Sequence, residues 1–223
     1  MKGLGKQVFA LVCLLALPAG ALSAGTIDVS VVDRKGNPVP DVIVLAESTT
    51  GEPLQPAAGE PAQFEVDQQN LQFVPHVLVV PVRSTVNFLN SDVTAHHVYS
   101  FSKTKRFTLP LYKGRAPDPV VFETPGIVTL GCNIHDHMVG YVVVAESHLH
   151  TRTDADGKAS LAVEGDVDDI RIRIWSPRIK DGKKHLVQLA SDTTPLRFSL
   201  KKKLRPAHGA HQSDSSEWEE YSQ

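Results

Sequence analysis

The chain is poor in cysteine, in methionine and in net charge, and each shortage closes off a class of explanation. Only two cysteines occur in 223 residues, so the disulfide framework that staples small secreted domains is absent. Only two methionines occur, Met1 and Met138, which excludes a methionine-rich metal-delivery cluster. Lysine plus arginine number 23 against 25 aspartate plus glutamate, and no basic field marks a nucleic-acid partner. Sustained helical periodicity is missing too. The apolar stretches are short, rich in Val, Ile, Thr and Phe, and cut by Gly, Pro, Asn and Asp, which predicts an all-β protein. No serine, histidine and acid grouping sits in a nucleophile context, so the chain reads as a non-enzyme.

One longer apolar run does stand out. Val8 to Leu17 follows Lys2 and Lys6 and precedes Ala19, Gly20, Ala21, Ser23 and Ala24, the basic, apolar and small-residue order of a secretory signal peptide. The run is too short to span a bilayer. Residues 1–24 are therefore expected to act as the signal, with cleavage fitting best after Ala21 and next after Ala24. That leaves a periplasmic or secreted chain with no transmembrane segment. Cleavage also removes Cys13, so Cys132 stands alone in a compartment that oxidises paired thiols.

The neighbours of Cys132 supply its explanation. Gly131-Cys132-Asn133-Ile134-His135-Asp136-His137-Met138 offers a thiolate, imidazoles and a thioether, and upstream Asn90-Ser91-Asp92-Val93-Thr94-Ala95-His96-His97 offers another imidazole. Two imidazoles and one thiolate with a weak axial methionine are the set that electron-transfer copper prefers. Structural zinc draws more often on paired cysteines or further histidines, and methionine serves it poorly. Adjacent side chains on an extended segment point to opposite faces, so only one of His96 and His97 can ligate. His137 is a second candidate beside His135.

The chain divides into pieces. In residues 25–55, Ile27, Val29 and Val31 alternate with polar residues, Arg34 to Pro38 forms a turn, and Val39 to Ala46 a second strand. Residues 60–146 carry strands at Phe73 to Val80, Ser84 to Asn90 and Val120 to Phe122, then Gly126 to Leu130, which delivers Cys132, and Val139 to Val144. Residues 147–201 open with a turn at Thr153 to Lys158 and continue with strands at Ala159 to Val163, Ile170 to Trp175 and Leu196 to Leu200. Asp154, Asp156 and Gly157 lack the remaining ligands of a calcium loop, and His148 with His150 reads as a connector. Few apolar residues remain in 202–223, which is expected to be a disordered tail.

Residues 60–146 resemble a cupredoxin of the plastocyanin, pseudoazurin and amicyanin type. The resemblance is carried by Phe73-x-Pro75, by Val86-x-Phe88-x-Asn90 before the histidines, and by Cys132-x-x-His135-x-x-Met138, whose spacing is nearest to amicyanin. The stretch from Cys132 to Tyr141 is similar to secreted cupredoxin-like proteins loosely labelled methylamine utilization proteins. This resemblance implies a Greek-key β-sandwich holding one mononuclear copper ion through His96, Cys132, His135 and Met138. It implies packing of Phe73, Phe88, Val128 and Leu130 around the thiolate, with His135 as the electron port. His97 stands where such proteins often carry an asparagine that ties the ligand loops together.

The flanks resemble something else. Gly25 to Val44, and the turn at Thr153 to Gly157, are similar to a carboxypeptidase-regulatory or transthyretin-like β-sandwich. Neither flank alone has enough strands to close a core, so the implied arrangement is a cupredoxin inserted into a second small β-sandwich made of 25–55 and 147–201. The function expected is single-electron transfer by a periplasmic type 1 (blue) copper protein, with dehydrogenase or cytochrome-type redox partners. The alternatives are copper storage or delivery, and a binding module in which copper is structural.

Overall fold

A computed structural model describes residues 24–51, 54, 62–115, 118–164, 167–180, 186–190 and 195–208. Except at Ala24, the signal-peptide expectation for residues 1–24 falls outside the described residues, as does the tail beyond 208. The chain is all-β, and among the described residues no helix is long and apolar enough to cross a membrane.

The first strands are β1 (Ala24–Val32) and β2 (Ile43–Ser48). The middle of the chain carries β3 (Gln63–Gln69), β4 (Gln72–Val74), β5 (Val77–Pro81), β6 (Ser84–Asn90), β7 (Val98–Phe101), β8 (Arg106–Thr108), β9 (Gly114–Arg115), β10 (Val120–Phe122), β11 (Gly126–Cys132) and β12 (Val139–Ala145). Then follow β13 (His150–Arg152), β14 (Lys158–Glu164), β15 (Ile170–Trp175), β16 (Leu186–Leu189) and β17 (Leu196–Ser199). The middle strands form two sheets, β10-β6-β3-β4 with β9 on β6, and β5-β12-β11-β7-β8. They close over a core containing Phe73, Phe88, Phe122, Val128, Leu130, Cys132 and Met138.

The outer strands form two further sheets, β14-β1-β17 and β13-β2-β15-β16, around Val29, Val31, Val44, Leu161, Ile172 and Phe198. Strands from before and after the middle segment thus share one core. The turn after β1 forms as expected, with the Asp33 carboxylate accepting from the amides of Lys35 and Asn37. It does not close a hairpin, because β1 and β2 lie in different sheets. Pro38 and Pro40 have no N–H to give a ladder, and regular pairing starts only at Ile43.

Two strands are buried on both faces. On β2, Val44 and Ala46 enter the outer core while Ile43 and Leu45 point the other way; on β12, Val142 and Val144 enter the middle core while Val143 and Ala145 point away. The outward sets meet in a small seam with Val77, backed by Val79, Ile127, Tyr141 and Trp175. Tyr141 and Trp175 touch edge-on at 5.3 Å. The seam joins the two sandwiches back to back.

Residues 202–208, expected from composition to begin a disordered tail, pack against the outer sandwich and against His76 of the middle one. Arg205 donates its backbone N–H to Arg178 O and its Nη1 to Pro177 O, and His208 stacks on His76. Leu204 packs against the outer core, but hydrogen bonds to backbone carbonyls and one ring contact, which leave no mark in composition, hold much of this stretch.

One ion network crosses the outer sheet. Glu47 on β2 accepts from Arg171 Nε at 2.9 Å and from Arg173 Nη2 at 2.9 Å, both on β15. Burial opposes ionisation of Glu47, but the Arg173 and Arg171 guanidiniums outweigh it and hold the carboxyl below its ordinary value. A carboxyl lowered in this way contributes stability that is complete above its unfolded pKa and is lost as pH falls through the folded one. Glu47→Gln is expected to lower the urea midpoint at neutral pH, and the gap from the parent protein should narrow once the pH drops below the ordinary carboxylate range. Unfolding curves of both proteins at the two pH values check this.

Candidate metal centre

The first histidine is held by its backbone before its ring does anything. Asn90, the last residue of β6, donates its Nδ2 to Thr94 O at 3.0 Å and to Tyr112 O at 2.9 Å, which clamps the loop between. His96 and Tyr112 then exchange both backbone hydrogen bonds at 3.0 Å. The result is a ring with 0% exposure. Its Nε2 lies 2.8 Å from Asp92 Oδ2, so it donates there and leaves Nδ1 as the free lone pair.

The second element is the end of β11. Gly131 and Cys132 pair with Tyr99 and Val98 on β7, and the tip of the Tyr99 ring stands close to the glycine. A Cβ at residue 131 would meet Tyr99 Cζ at 2.8 Å, so the glycine admits the Tyr99 ring where it lies. The loop beyond is tied twice, by Asn133 N–H to His97 O at 3.3 Å and by Met138 N–H to His135 O at 2.9 Å. The first tie joins the loops that carry His96 and Cys132 through backbone alone.

Three donor atoms converge. His96 Nδ1 lies 3.1 Å from His135 Nδ1 and 3.7 Å from Cys132 Sγ, and Cys132 Sγ lies 3.8 Å from His135 Nδ1. Donors sharing one first-row ion at about 2.0–2.3 Å stand roughly 3–4 Å from one another, so these separations fit a single ion. Cys132 is 2% exposed and His135 half-buried. Met138 is 1% exposed, belongs to the same core as Cys132, and lines the same small cavity beside β11.

The remaining candidates lie elsewhere. His97 is half-buried with its ring toward Tyr99, and His137 is exposed with its ring centroid 6.1 Å from that of His135; neither joins the donor cluster. His150 begins β13 and pairs with Leu45. Phe73, Phe88, Val128 and Leu130 all share the core of Cys132.

Two supporting residues carry no motif signal. Burial alone would raise the Asp92 carboxyl, but the Leu71 amide, the His96 ring and the Asn70 amide hold it below its ordinary value. Tyr112, whose backbone fixes His96, receives a 2.6 Å hydrogen bond from Gln68 Nε2 on its hydroxyl, and burial pushes that hydroxyl up to about 12. Aspartate four residues before a ligand histidine is the one cue that could have exposed Asp92 in advance.

Fold and site together define an all-β protein with a largely buried histidine, cysteine and histidine group close enough to hold one metal ion. Among solved structures, the chain is similar to a copper-containing nitrite reductase from Thermus scotoductus SA-01, with 26% identity over 52% of this chain and a TM-score of 0.37. It spans 28% of that reductase. It is also similar to a purple cupredoxin from Nitrosopumilus maritimus, with 26% identity, 38% of this chain, 99% of that one and a TM-score of 0.33. A reduced amicyanin variant aligns at 24% identity over 44% of this chain and 97% of its own, with a TM-score of 0.35. No protein-family model matches the chain, and no curated protein does.

Proposed function

We propose that the chain is a type 1 copper protein of the cupredoxin kind, carrying single electrons between redox partners in the periplasm. The observation that carries this reading is the convergence of two imidazole nitrogens and one cysteine sulfur, all within 4.8 Å, at the end of a β-sandwich core. His96, Cys132 and His135 would hold one mononuclear copper, with Met138 as the weak axial donor. Bound there, copper supplies one-electron chemistry between its two common oxidation states.

The protein's own part is to keep the donors still. Asp92 fixes the His96 ring, Tyr112 fixes its backbone, and the ties at Asn133 and Met138 fix the loop. Donors that move little between oxidation states favour fast electron exchange. Burial of His96, Cys132 and Met138 favours a carrier over a delivery protein, which needs exchangeable ligands. His135 is the proposed port, half-buried beside Ile134, which is 53% exposed.

The proposed partners are dehydrogenase or cytochrome-type redox proteins, in the methylamine-utilization setting that the Cys132 to Tyr141 resemblance suggests. The chain itself is proposed to have no catalytic turnover. The outer strands are proposed to form a host sandwich of the carboxypeptidase-regulatory kind, into which the copper module is inserted. Periplasmic location is supported by the signal-like residues 1–24 and by the unpaired Cys132.

The test is the absorption spectrum of the copper(II)-loaded full chain. A strong visible thiolate charge-transfer band, bleached by reduction and missing in Cys132→Ser, is the expected result. A colourless complex that the substitution leaves unchanged would overturn both the ligand set and the carrier.

A further inference from the structure

Where the seam between the two sandwiches ends, Val77 and Tyr141 open onto a cleft of about 810 Å³. One side is formed by Pro75, His76 and Val139, and the other by the segment after β17, from Arg205 to His208. Small-molecule sites commonly occupy clefts of about 300–1,000 Å³ at such junctions.

Charge sets this cleft apart. Arg152, Arg178 and Arg205 line it against a single carboxylate, Asp41. Among the described residues none of the three forms an ion pair, whereas Arg171 and Arg173 on β15 share the Glu47 carboxylate. Backbone carbonyls hold them instead. Arg152 Nη2 donates to Val77 O at 2.6 Å, Arg205 Nη1 to Pro177 O at 2.9 Å, and Arg178 Nε to Arg205 O at 3.3 Å. A guanidinium has five N–H donors, so each tether leaves most of them for a ligand. Side chains already held in place also lose less freedom when one binds.

The remaining wall is built of rings. His76 stacks on His208 with ring centroids 3.6 Å apart and 9° between planes, and meets Tyr141 edge-on at 5.4 Å. Burial, and after it the neighbouring His208, lowers the His76 pKa to about 4, so its ring is neutral at pH 7. Its Nδ1 is buried without a hydrogen-bond partner. A bare inorganic anion would use the arginines and leave this wall idle. A carbon skeleton bearing several carboxylates would use both.

We propose that this cleft is a binding site for a small organic polycarboxylate, whose carboxylates engage Arg152, Arg178 and Arg205 and whose skeleton lies against the His76, His208 and Tyr141 rings. The site is separate from the metal reading, since none of His96, Cys132, His135 and Met138 lines it. Its failure would leave the copper proposal untouched, and the reverse holds as well.

Isothermal titration of the full chain with benzene-1,3,5-tricarboxylate, at about 0.15 M salt to screen loose surface attraction, tests it. Saturable one-to-one binding is expected. It should weaken about tenfold or more in the double variant Arg178→Gln with Arg205→Gln, the scale of losing charge-assisted hydrogen bonds. Because Arg205 also tethers its own segment, Ala207→Glu provides the second arm. It adds a carboxylate to the cleft, removes no guanidinium, and should abolish binding while the circular dichroism stays that of the parent protein. No saturable heat, equal binding of the uncharged tricarboxamide, equal binding of sulfate, or unchanged binding in Ala207→Glu would each overturn the proposal.

Discussion

Replacing Asp92 with alanine is expected to weaken metal binding at the His96, Cys132 and His135 cluster by about 10- to 100-fold, the usual effect of removing a partner that orients a ligating imidazole. The carboxylate has two jobs. Its Oδ2 takes His96 Nε2 at 2.8 Å and Leu71 N at 3.0 Å, while Oδ1 takes Asn70 N at 2.6 Å. Asn70 and Leu71 both sit at positive φ, 52° and 58°, so the turn that packs against the histidine loop depends on these bonds. Without them the ring can turn, and its Nδ1 leaves the point where the three donors meet. Asp92→Asn keeps one acceptor oxygen and is expected to fall between. Competition against a chelator of known affinity measures the series, and an alanine variant that binds as tightly as the parent would remove Asp92 from the orienting role.

Truncating Phe73 to alanine is expected to destabilise the middle sandwich by about 3–5 kcal/mol. Phe73 is fully buried on β4, and its ring lies across Gly140 on β12. A Cβ at 140 would stand 2.8 Å from Phe73 Cβ and 3.1 Å from the ring, so the glycine is there to admit the phenylalanine. With no side chain at 140, nothing on the facing strand can fill the space the ring leaves. A loss of this size is a large share of the roughly 5–15 kcal/mol that holds a typical domain together. At about 4–8 °C per kcal/mol for a domain of this size, the transition should fall by roughly 12 °C or more. Calorimetry should show the full shift in the middle sandwich and a smaller one in the outer sandwich, whose closing loop is longer once the middle has melted. Equal displacement of both would mean that the seam fuses them into one cooperative unit.

The two sites differ in how visible they are beforehand, and the reason is where their residues lie along the chain. Cys132, His135 and Met138 share one loop, so their spacing alone announces a donor set. Asp92 and Tyr112 act on His96 through backbone pairing between loops, which no local pattern reports. The three arginines of the cleft come from β13, from the loop after β15 and from beyond β17, and only the folded sheets bring them together. The strands themselves are legible from alternation, as on β1, where Ile27, Val29 and Val31 are all buried. The seam is harder to see. Ile43 to Ala46 and Val142 to Ala145 are unbroken apolar runs, the mark of strands covered on both faces, but such a run does not say what covers the second face.

Leu149 O accepts from Ala46 N at 3.0 Å, and Ser147 Oγ donates to Ala46 O at 3.3 Å, so the middle segment leaves and rejoins the outer sandwich at one point. That closed base dictates an order of events in folding. The outer pairs set Gly25 against Val163 and Ile43 against Trp175, contacts more than a hundred residues apart. Closing so long a loop is slow while the residues between are still chain. Once they have condensed and their two ends abut, the effective loop is shorter by about tenfold, and the entropy of closure falls by about 2 kcal/mol. Loop entropy therefore favours the cluster-bearing sandwich condensing first, with the outer one completed upon it. A chain whose centre fails to fold would join its two ends more slowly and less tightly.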